Sequence, residues 1–451
     1  MEIIRFRHGD WGMVRKTMLA DREIESFAVG LASRQDISGT TVIVVHEIRF
    51  PAAEDYESRS LGHVKLRKEF IHRMLVEAVS RLDVDTIVDI HTHPQDTDHV
   101  CFSSIDNRDE ERFSRFLARF DNINYASIVL SGERYQARLW EIGVEPPQPR
   151  KALVKTPTVF EAIPESEEAL DCMNTEPNEM QARTILALGL DNCRRIARNQ
   201  KIVLAGVGGL GSVMAEHLVH MGFVHIGLID PDYLELHNLN RFVGGTYLDA
   251  IEKRPKVEVV ARHLKGINPE IRTETSQSNL KHSEAQRMMA EADFILLSTD
   301  THTSRLECQR TAQKFSVPLI SAGVNISVED GIITDMSGEV ITMRPGDNFC
   351  LSCLGRINLA KIAVESHPDE AVREATVRRG YVTGLDVKEP AVKTLNSIVG
   401  TLAVEALLDQ YLKPTGNVPI LVYENNGSCC IYPDRESFND RITGCSLCSL
   451  E

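Results

Sequence analysis

The chain has 451 residues, more than one hydrophobic core usually holds, so two domains are expected. Its hydrophobic content of 42% and charged content of 25% are typical of a globular protein, and no apolar run is long enough to span a membrane. The net charge of −15 argues against nucleic-acid binding, which needs a basic surface. No signal-peptide core opens the chain, so we expect a cytoplasmic protein whose ten cysteines are thiols or metal ligands.

The pattern along the chain predicts an α/β protein of two domains. Residues 1–144 mix strand and helix patterns and end in a hairpin around Gly132, which indicates an α+β domain. Residues 145–175 are first rich in proline and then acidic, so they are expected to form a linker. From 176 to 451 strands and helices alternate, which predicts a Rossmann-like open, mostly parallel sheet.

The stretch "HTHPQDTDHVCFSSID" in the first domain carries possible metal ligands. The alternating run "DTIVDI" predicts a strand that ends at His91. Side chains two residues apart on a strand share a face, so His91 and His93 can bind one ion. With Asp106 they would make the three protein ligands of a catalytic zinc site, although an H-x-H pair also arises by chance in solvated turns.

The stretch "KIVLAGVGGLGSVMAEHLVHMGFVHIGLID" predicts a strand, a glycine turn, an amphipathic helix and a second strand. Gly206, Gly208 and Gly211 form G-x-G-x-x-G in the context that phosphate binding requires. Asp230 ends the second strand, where it could accept from a ribose hydroxyl. The glycine motif and Asp230 fit an NAD dehydrogenase equally well.

Charged residues beyond this motif favour an adenylating enzyme. Such an enzyme must neutralise charge on the α-phosphate and on the departing pyrophosphate, whereas hydride transfer leaves the phosphates untouched. Arg241 and Lys256 supply cations after the second strand, and Asp300 can hold Mg²⁺ at the end of a third. Each of these residues alone is most simply an ordinary surface residue. The three together, in this order, favour an adenylating enzyme.

Two C-x-x-C pairs predict a structural zinc site. The pairs are "CLSC", with Cys350 and Cys353, and "GCSLC", with Cys445 and Cys448. Four thiolates complete a closed tetrahedral site, so this zinc would stabilise the fold rather than catalyse a reaction.

The second domain resembles the MoeB/ThiF/HesA superfamily of ubiquitin-activating-type adenylating enzymes. The segments that carry the resemblance are "GVGGLGS", "IDPDYLELHNLNR", "RPKVE", "INP" and "STDT". The resemblance implies that ATP adenylates the C-terminal glycine of a ubiquitin-like or sulfur-carrier protein. It also implies a homodimer in which Arg183 reaches into the partner subunit's site, and Mg²⁺ on Asp300. The implied ATP-binding residues are Gly206, Gly208, Gly209, Gly211, Asp230, Asp232, Asn238, Arg241 and Lys256.

The segment that carries a nucleophilic cysteine in some relatives has none here. No cysteine occurs between Gly355 and Asn426. Adenylation without a covalent enzyme intermediate is therefore expected, unless Cys429 or Cys430 acts as the nucleophile.

The first domain resembles the JAMM (JAB/MPN) metalloproteases, which have a cytidine-deaminase-like fold. "HTHP" followed by "SSID" matches the H-x-H-P and S-x-x-D pattern of that family. The resemblance implies Glu25 as general base, with Glu23 as the substitute, and Ser103 as the oxyanion donor. Nine residues separate His93 from Ser103, two more than is usual in the family. The extra length contains three further possible ligands, namely Asp96, Asp98 and His99.

The two resemblances together predict a bifunctional enzyme with a catalytic zinc and a structural zinc. One half would cut next to the terminal glycine of a ubiquitin-like protein, and the other would adenylate that glycine, as in bacterial ubiquitin-like conjugation. One alternative is the activation of a sulfur carrier for cofactor or metabolite synthesis. Another is an adenylating enzyme whose first domain only binds the ubiquitin-like protein.

Overall fold

The computed structural model describes residues 1–7, 9–94, 100–120, 123–132, 134–156, 163–164, 179–197, 200–367, 369, 390–412, 418–439, 444–445 and 448. The chain divides into two compact units, Met1–Thr175 and Glu176–Glu451, called unit 1 and unit 2 below. Unit 2 begins where the sequence pattern changes to alternating strands and helices.

Unit 1 is built on one large mixed sheet and a separate two-stranded hairpin, β4–β5. Its described helices are α1 (Asp10–Met18), α2 (Lys68–Ser80) and α3 (Ser104–Leu117). Its described strands are β1 (Glu2–Arg5), β2 (Phe27–Ile37), β3 (Thr40–Arg49), β4 (Tyr56–Ser60), β5 (His63–Leu66), β6 (Thr86–Thr92), β7 (Asn124–Ser131), β8 (Arg134–Trp140), β9 (Pro149–Lys151), β10 (Leu153–Lys155) and β11 (Ile163–Pro164).

Apolar side chains cover both faces of the large sheet, whose order is β10-β1-β3-β2-β6-β7-β8-β11 with β9 paired to β8. On β2, Ala28 and Ala32 belong to a core that contains Trp11 of α1. Val29 and Leu31 point to the other face, into a core made with α2 and α3. Ile87 of β6 also packs in that second core. Because side chains alternate along a strand, Asp89 and His91, two and four residues later, face the same helices.

Part of the segment predicted as a linker, 145–175, pairs with strands of the unit 1 sheet. Strands β9 and β10 pair with β8 and β1, and Ile163 and Pro164 pair with β8. Pro149 is compatible with this pairing because it is the first residue of β9, a position at which a strand tolerates proline. Residues 157–162 and 165–175 of that segment lie outside the described residues.

Unit 2 is built on a second sheet with helices between its parallel strands. Its described helices are α4 (Ala182–Leu188), α5 (Leu190–Ala197), α6 (Gly209–His220), α7 (Tyr247–Ile251), α8 (Lys256–Ile267), α9 (Ser283–Glu291), α10 (His302–Lys314), α11 (Leu359–Glu365), α12 (Lys393–Leu412) and α13 (Glu436–Asn439). Its described strands are β12 (Lys201–Ala205), β13 (His225–Ile229), β14 (Arg272–Ser276), β15 (Phe294–Leu297), β16 (Leu319–Glu329), β17 (Ile332–Met343), β18 (Ile420–Asn425) and β19 (Cys429–Pro433).

The sheet of unit 2 is mixed, with four parallel and three antiparallel strand pairs among the described strands, as the prediction of an open, mostly parallel sheet allows. Its order is β14-β13-β12-β15-β16-β17-β18-β19, parallel from β14 to β16 and antiparallel from β16 to β19. The reversal occurs at Asp330 and Gly331, which both have positive φ, at 51° and 79°. An Asp-Gly pair of this kind closes a tight hairpin, so β17 must run antiparallel to β16.

The strand order reverses between β12 and β15, since β13 and β14 lie on one side of β12 and β15 and β16 on the other. In an open α/β sheet the crevice at the carboxyl ends of the strands flanking such a point binds ligands. Residues that follow Ala205 and Leu297 therefore meet at the expected binding edge. Among the described helices, none has the length and apolar character to cross a membrane.

Candidate functional site

The loop between β12 and α6 depends on two glycines for its shape. Gly206 has a φ of +93°, a conformation that favours glycine. A Cβ on Gly211 would lie 2.1 Å from the carbonyl oxygen of Gly206, so only a glycine lets α6 start this close to the loop. Ser298, the residue after β15, donates its hydroxyl to the same carbonyl at 2.9 Å. The loop is thereby tied to both sides of the switch point.

Gly208 differs from these two because the fold does not require it to be glycine. Its φ of −69° is open to most residues, and a Cβ there would meet no atom of the described residues within 4 Å. The open space lies at the N-terminus of a twelve-residue helix, where backbone N–H groups and the helix dipole favour an anion. A phosphate group that approaches the backbone fits this position.

The carboxylate of Asp230 links the glycine loop to the segment after β13. Its Oδ2 accepts from the backbone N–H of Val207 at 2.8 Å, and its Oδ1 accepts from that of Asp232 at 2.9 Å. Burial raises the pKa of Asp230, against the opposing effect of the Lys256 ammonium. Lys256 in turn donates to Asp232 Oδ2 at 2.7 Å. Three residues predicted for nucleotide binding are thus joined in one cluster.

Arg241 and Asn238 lie on the turn that follows this cluster. The Cγ of Arg241 lies 2.8 Å from the place where a Cβ on Gly209 would stand, and its guanidinium donates to the carbonyl oxygen of His237 at 3.0 Å. Asn238 is buried and accepts from the backbone N–H of Glu235, so it shapes the turn. The structure therefore brings Arg241 to the glycine loop and gives Asn238 a supporting contact.

Asn396 is a neighbour of the loop that the sequence did not indicate. It lies buried on α12, with its Nδ2 atom 2.5 Å from the position of a Cβ on Gly209. No local pattern marks an asparagine that reaches the loop from about 190 residues further along the chain. Asp300, two residues after Ser298, is exposed near the same edge. Arg183 is exposed on α4, and none of the contacts described above involves it.

The four predicted zinc cysteines come together. The sulfur of Cys350 lies 3.8 Å from that of Cys445, and the sulfur of Cys353 lies 3.9 Å from that of Cys448. All four sulfurs lie within 4.8 Å of one another. A tetrahedron with Zn–S bonds of about 2.3 Å has sulfurs about 3.8 Å apart, so the donors fit zinc. Burial raises the pKa of Cys350 to about 11.

Outside this cluster lie Cys193, Cys308, Cys429 and Cys430. Cys429 and Cys430 are exposed on β19. Cys193 and Cys308 are buried and unpaired.

In unit 1, His91 and His93 meet Asp106. His91 lies near the end of β6, and Asp106 lies in the first turn of α3. The Oδ2 atom of Asp106 is 3.6 Å from Nε2 of His91 and 3.4 Å from Nε2 of His93. The ligand atoms of the three residues lie within 4.8 Å of one another, so the predicted triad can surround one ion.

The surroundings of the buried His91 ring are compatible with a bound metal ion. Its Nε2 atom is buried and has no hydrogen-bond partner among the described residues. A buried polar atom without a partner costs free energy, which a metal ion on that nitrogen would remove. Burial lowers the pKa of His91, but the neighbouring Asp106 carboxylate outweighs it and the net pKa is raised. For Asp106, His91 and His93 outweigh burial and hold its pKa well below the usual range.

The spacing S-x-x-D has a structural cause. Ser103 is the N-cap of α3, and its hydroxyl oxygen accepts from the backbone N–H groups of Ile105 and Asp106. Asp106 accepts from the backbone N–H of Ser103 at 2.6 Å, which completes a capping box. The cap fixes Asp106 toward the histidines. The Ser103 hydroxyl still has its proton to donate.

Glu25 and the triad line one cavity of about 480 Å³, and Ser103 borders it. Glu25 is buried, with 6% of its surface exposed, and its backbone N–H donates to the carbonyl oxygen of Ser60. Glu23, the substitute base, is exposed. The alternative ligands Asp96, Asp98 and His99 lie outside the described residues, as does Cys172.

A buried polar cluster, which the sequence analysis missed, adjoins the triad. Asp89 precedes His91 by two residues on the same face of β6, and Glu110 follows Asp106 by one turn of α3. Burial, and then the charge of Glu110, raise the pKa of Asp89 to about 8. The i, i+2 and i, i+4 spacings from the predicted ligands were the available signal.

Comparison with known proteins identifies unit 2 more closely. A model of the ThiF family matches residues 181–424, more than half of the chain. The ubiquitin-like modifier-activating enzyme 5 of Aedes aegypti is 27% identical over 233 residues, which cover 48% of this chain and 56% of that protein. The chain spans about half the length of the first such relatives.

Shorter relatives match the same region. The molybdopterin-synthase adenylyltransferase of Escherichia coli K12 is 31% identical over 176 residues, 39% of this chain and 67% of that protein. The SAMP-activating enzyme E1 of Haloferax volcanii is 26% identical over 212 residues, 47% of this chain and 68% of that protein. A crystal structure of E. coli MccB with succinimide has 21% identity and a TM-score of 0.46, covering 60% of this chain and 74% of its own.

Proposed function

Because the chain belongs to the ThiF family, we propose that unit 2 uses ATP to adenylate the C-terminal glycine carboxylate of a ubiquitin-like or sulfur-carrier protein. The names of its relatives support this substrate class, since they activate ubiquitin-like modifiers or adenylate a molybdopterin-synthase component. The main structural support is the free space at Gly208 beside the Asp230–Asp232–Lys256 cluster.

The proposed reaction needs charge stabilisation rather than a base. A carboxylate oxygen of the carrier protein forms a bond to the α-phosphorus of ATP, and the bond from that phosphorus to pyrophosphate breaks with its electron pair. The nucleophile is already an anion, so no proton has to be removed. Lys256 and Arg241 would hold the phosphates, which reduces repulsion and stabilises the departing pyrophosphate. Bound Mg²⁺, for which Asp300 is the proposed ligand, would add further positive charge.

Asp230 and Asp232 would position these groups. Each carboxylate oxygen has more than one lone pair, so Asp230 can keep its two backbone hydrogen bonds and also accept from a ribose hydroxyl. The Lys256 ammonium has three donors, so it can keep Asp232 and still contact phosphate. The absence of cysteines from Gly355 to Asn426 favours release of the acyl-adenylate without an enzyme thioester. Activation of a sulfur carrier remains the alternative to conjugation.

ATP–pyrophosphate exchange tests this proposal. A panel of ubiquitin-fold proteins that end in Gly-Gly should include members that stimulate exchange, and the same proteins without the last glycine should not. Lys256→Ala should lower stimulated exchange about 10²- to 10³-fold, because one charge-stabilising donor is lost. Lys265→Ala, an exposed lysine on the same helix, is the matched control and should leave exchange unchanged. Equal exchange in the two variants contradicts the proposed role of Lys256.

We further propose that unit 1 is a zinc-dependent peptidase that cuts next to the terminal glycine of the same kind of carrier. Its support is the His91–His93–Asp106 cluster, with the unpartnered Nε2 of buried His91, in one cavity with Glu25. Bound zinc would supply Lewis acidity and bring the pKa of water near neutrality. Glu25 would take the proton from water and pass it to the leaving amine, and Ser103 would donate to the developing oxyanion.

Zinc per chain, measured by elemental mass spectrometry, tests the metal centre. The wild type should hold two zinc ions, and His93→Ala should hold one. His72→Ala, an exposed histidine on α2, is the control and should keep both. One zinc in every variant would leave unit 1 as a recognition domain without catalytic metal. If two zincs are present, Glu25→Gln should keep both and lose cleavage of a carrier extended beyond its terminal glycine.

A further inference from the structure

We propose that Asp89 is a positioning residue for His91, and that its carboxyl group accepts a hydrogen bond from the His91 ring nitrogen that does not bind the ion. The inference rests on the proposed metal centre of unit 1. A histidine that binds a metal through one nitrogen carries a proton on the other, and that N–H needs an acceptor. The acceptor fixes the tautomer and the orientation of the ring.

The backbone places Asp89 beside His91. Both residues lie on β6, two positions apart, so their side chains point to the same face of the sheet. A carboxyl oxygen of Asp89, a ring nitrogen of His91 and a carboxyl oxygen of Glu110 all lie within 4.8 Å of one another.

Asp89 has an acceptor to offer. Its Oδ2 accepts from the hydroxyl of Tyr125, on the neighbouring strand β7. Its Oδ1 is buried and has no hydrogen-bond partner among the described residues. A buried oxygen in that state is costly, and an N–H from His91 would remove the cost.

Glu110 is the other possible acceptor for the His91 N–H, but it already accepts hydrogen bonds from other side chains. Its Oε2 accepts from Arg138 Nε at 2.8 Å and from Trp140 Nε1 at 2.7 Å, and also from the hydroxyl of Ser127. These donors come from β7 and β8, so Glu110 is anchored to the sheet beside α3. Its second oxygen, Oε1, is also buried and has no hydrogen-bond partner in the part of the chain that the structure describes. We assign the hydrogen bond to Asp89, which shares the strand of His91 and whose one hydrogen-bond donor in the described part of the chain is Tyr125.

The test is the affinity of the unit 1 site for Zn²⁺ and Co²⁺, measured in the full chain by competition with a chelator. Asp89→Leu removes the acceptor at similar size, and Asp89→Asn keeps an oxygen acceptor. We expect the leucine variant to bind metal about 10- to 100-fold more weakly, and the asparagine variant to stay within about threefold of the wild type. Asp83→Leu makes the same change on exposed Asp83, which does not line the cavity, and should have no effect on metal affinity.

Two further measurements separate positioning from a general loss of structure. In a His91→Ala background, Asp89→Leu should cause no additional loss of metal affinity, because the two residues act through one hydrogen bond. The Co²⁺ absorption bands should shift in Asp89→Leu relative to Asp89→Asn. If the leucine variant does not fold, Asp89→Val removes the acceptor with a residue that favours strands.

The outcomes distinguish a failure of the proposed metal centre from a failure of the proposed role of Asp89. A wild type that binds only the zinc of the four cysteines overturns the metal centre and this inference with it. Two zincs in the wild type with equal affinity in Asp89→Leu overturn the inference alone. A loss of affinity in Glu110→Gln, without loss in Asp89→Leu, assigns the hydrogen bond to Glu110 and overturns it too. A third metal that Asp89→Leu removes makes Asp89 a ligand rather than a positioning residue.

Discussion

The three glycines of the G-x-G-x-x-G motif have different roles in the structure, although the motif requires glycine at each of the three positions. Gly206 is needed for a positive φ, and Gly211 is needed because the carbonyl oxygen of Gly206 occupies the place of a side chain. Gly208 meets neither requirement. The difference separates residues that maintain the fold from one that leaves room for a ligand.

Alanine substitutions should resolve these purposes. Gly208→Ala should keep the thermal stability of unit 2 but weaken ATP binding at least about tenfold, which is about 1.4 kcal/mol, because the methyl group enters the space proposed for phosphate. Gly211→Ala should lower thermal stability, since its methyl group would lie 2.1 Å from an oxygen atom. Calorimetry and ATP titration measure the two effects. Unchanged ATP affinity in folded Gly208→Ala would place the phosphates elsewhere.

At the scale of elements, two helices near the proposed ATP site are joined by a buried acid. Asp249 caps α7 by accepting from Thr246, and Arg262 of α8 donates to both of its carboxyl oxygens, at 2.6 and 2.7 Å. These bonds hold the pKa of Asp249 well below its ordinary value, with the Arg262 contact as the largest cause. The group therefore stays charged in the folded state at pH values where it is protonated in the unfolded chain.

The sign of the resulting pH dependence follows from this lowered pKa. The stabilisation is fully present above the unfolded pKa of about 3.9 and is lost as pH falls below it toward the folded pKa. Asp249→Asn should lower the unfolding free energy of unit 2 at pH 7 by about 1–3 kcal/mol, and the difference should shrink below pH 4. Urea unfolding at pH 7 and pH 3.5 measures this. Glu252→Gln, which changes a more exposed acid after the same helix, is the control.

Over the whole molecule, the four cysteines join distant parts of unit 2. Cys350 and Cys445 are 95 residues apart in the chain. A shared zinc would close that loop in the folded state, so metal binding should contribute to stability. Cys448→Ser should therefore lose one zinc and lower the melting temperature of unit 2, while Cys429→Ser should do neither. A zinc content that is the same in both variants would contradict the assignment.

The predicted homodimer can be tested through Arg183. If Arg183 completes the site of the partner subunit, Arg183→Ala and Lys256→Ala should each strongly lower exchange when tested alone. Subunits of the two variants that exchange freely should form mixed dimers with one intact site, and about a quarter of wild-type activity should return. Recovery no greater than the sum of the two variants would show that Arg183 does not act across subunits.

Several local features could be predicted from sequence because their chemistry depends on near neighbours. The glycine turn, the two C-x-x-C pairs and the His91–His93 face follow from spacing alone. The Asp330–Gly331 pair also carries a local signal, since Asp-Gly is a hairpin sequence, so the antiparallel pairing of β16 with β17 is predictable from sequence.

Only the tertiary structure decided which of these features meet. Asn396 reaches the glycine loop from α12 through a contact that no short pattern records. The spacing of Glu110 from Asp106 indicates a shared helix face, but only the packing of α3 brings Glu110 to His91. Burial has the same origin, because Asp89 has its raised pKa and its unpartnered oxygen only after β6, β7 and α3 pack around it. Spacing along a chain sets which side chains share a face, whereas the packing of distant elements sets what that face contacts and how much water remains.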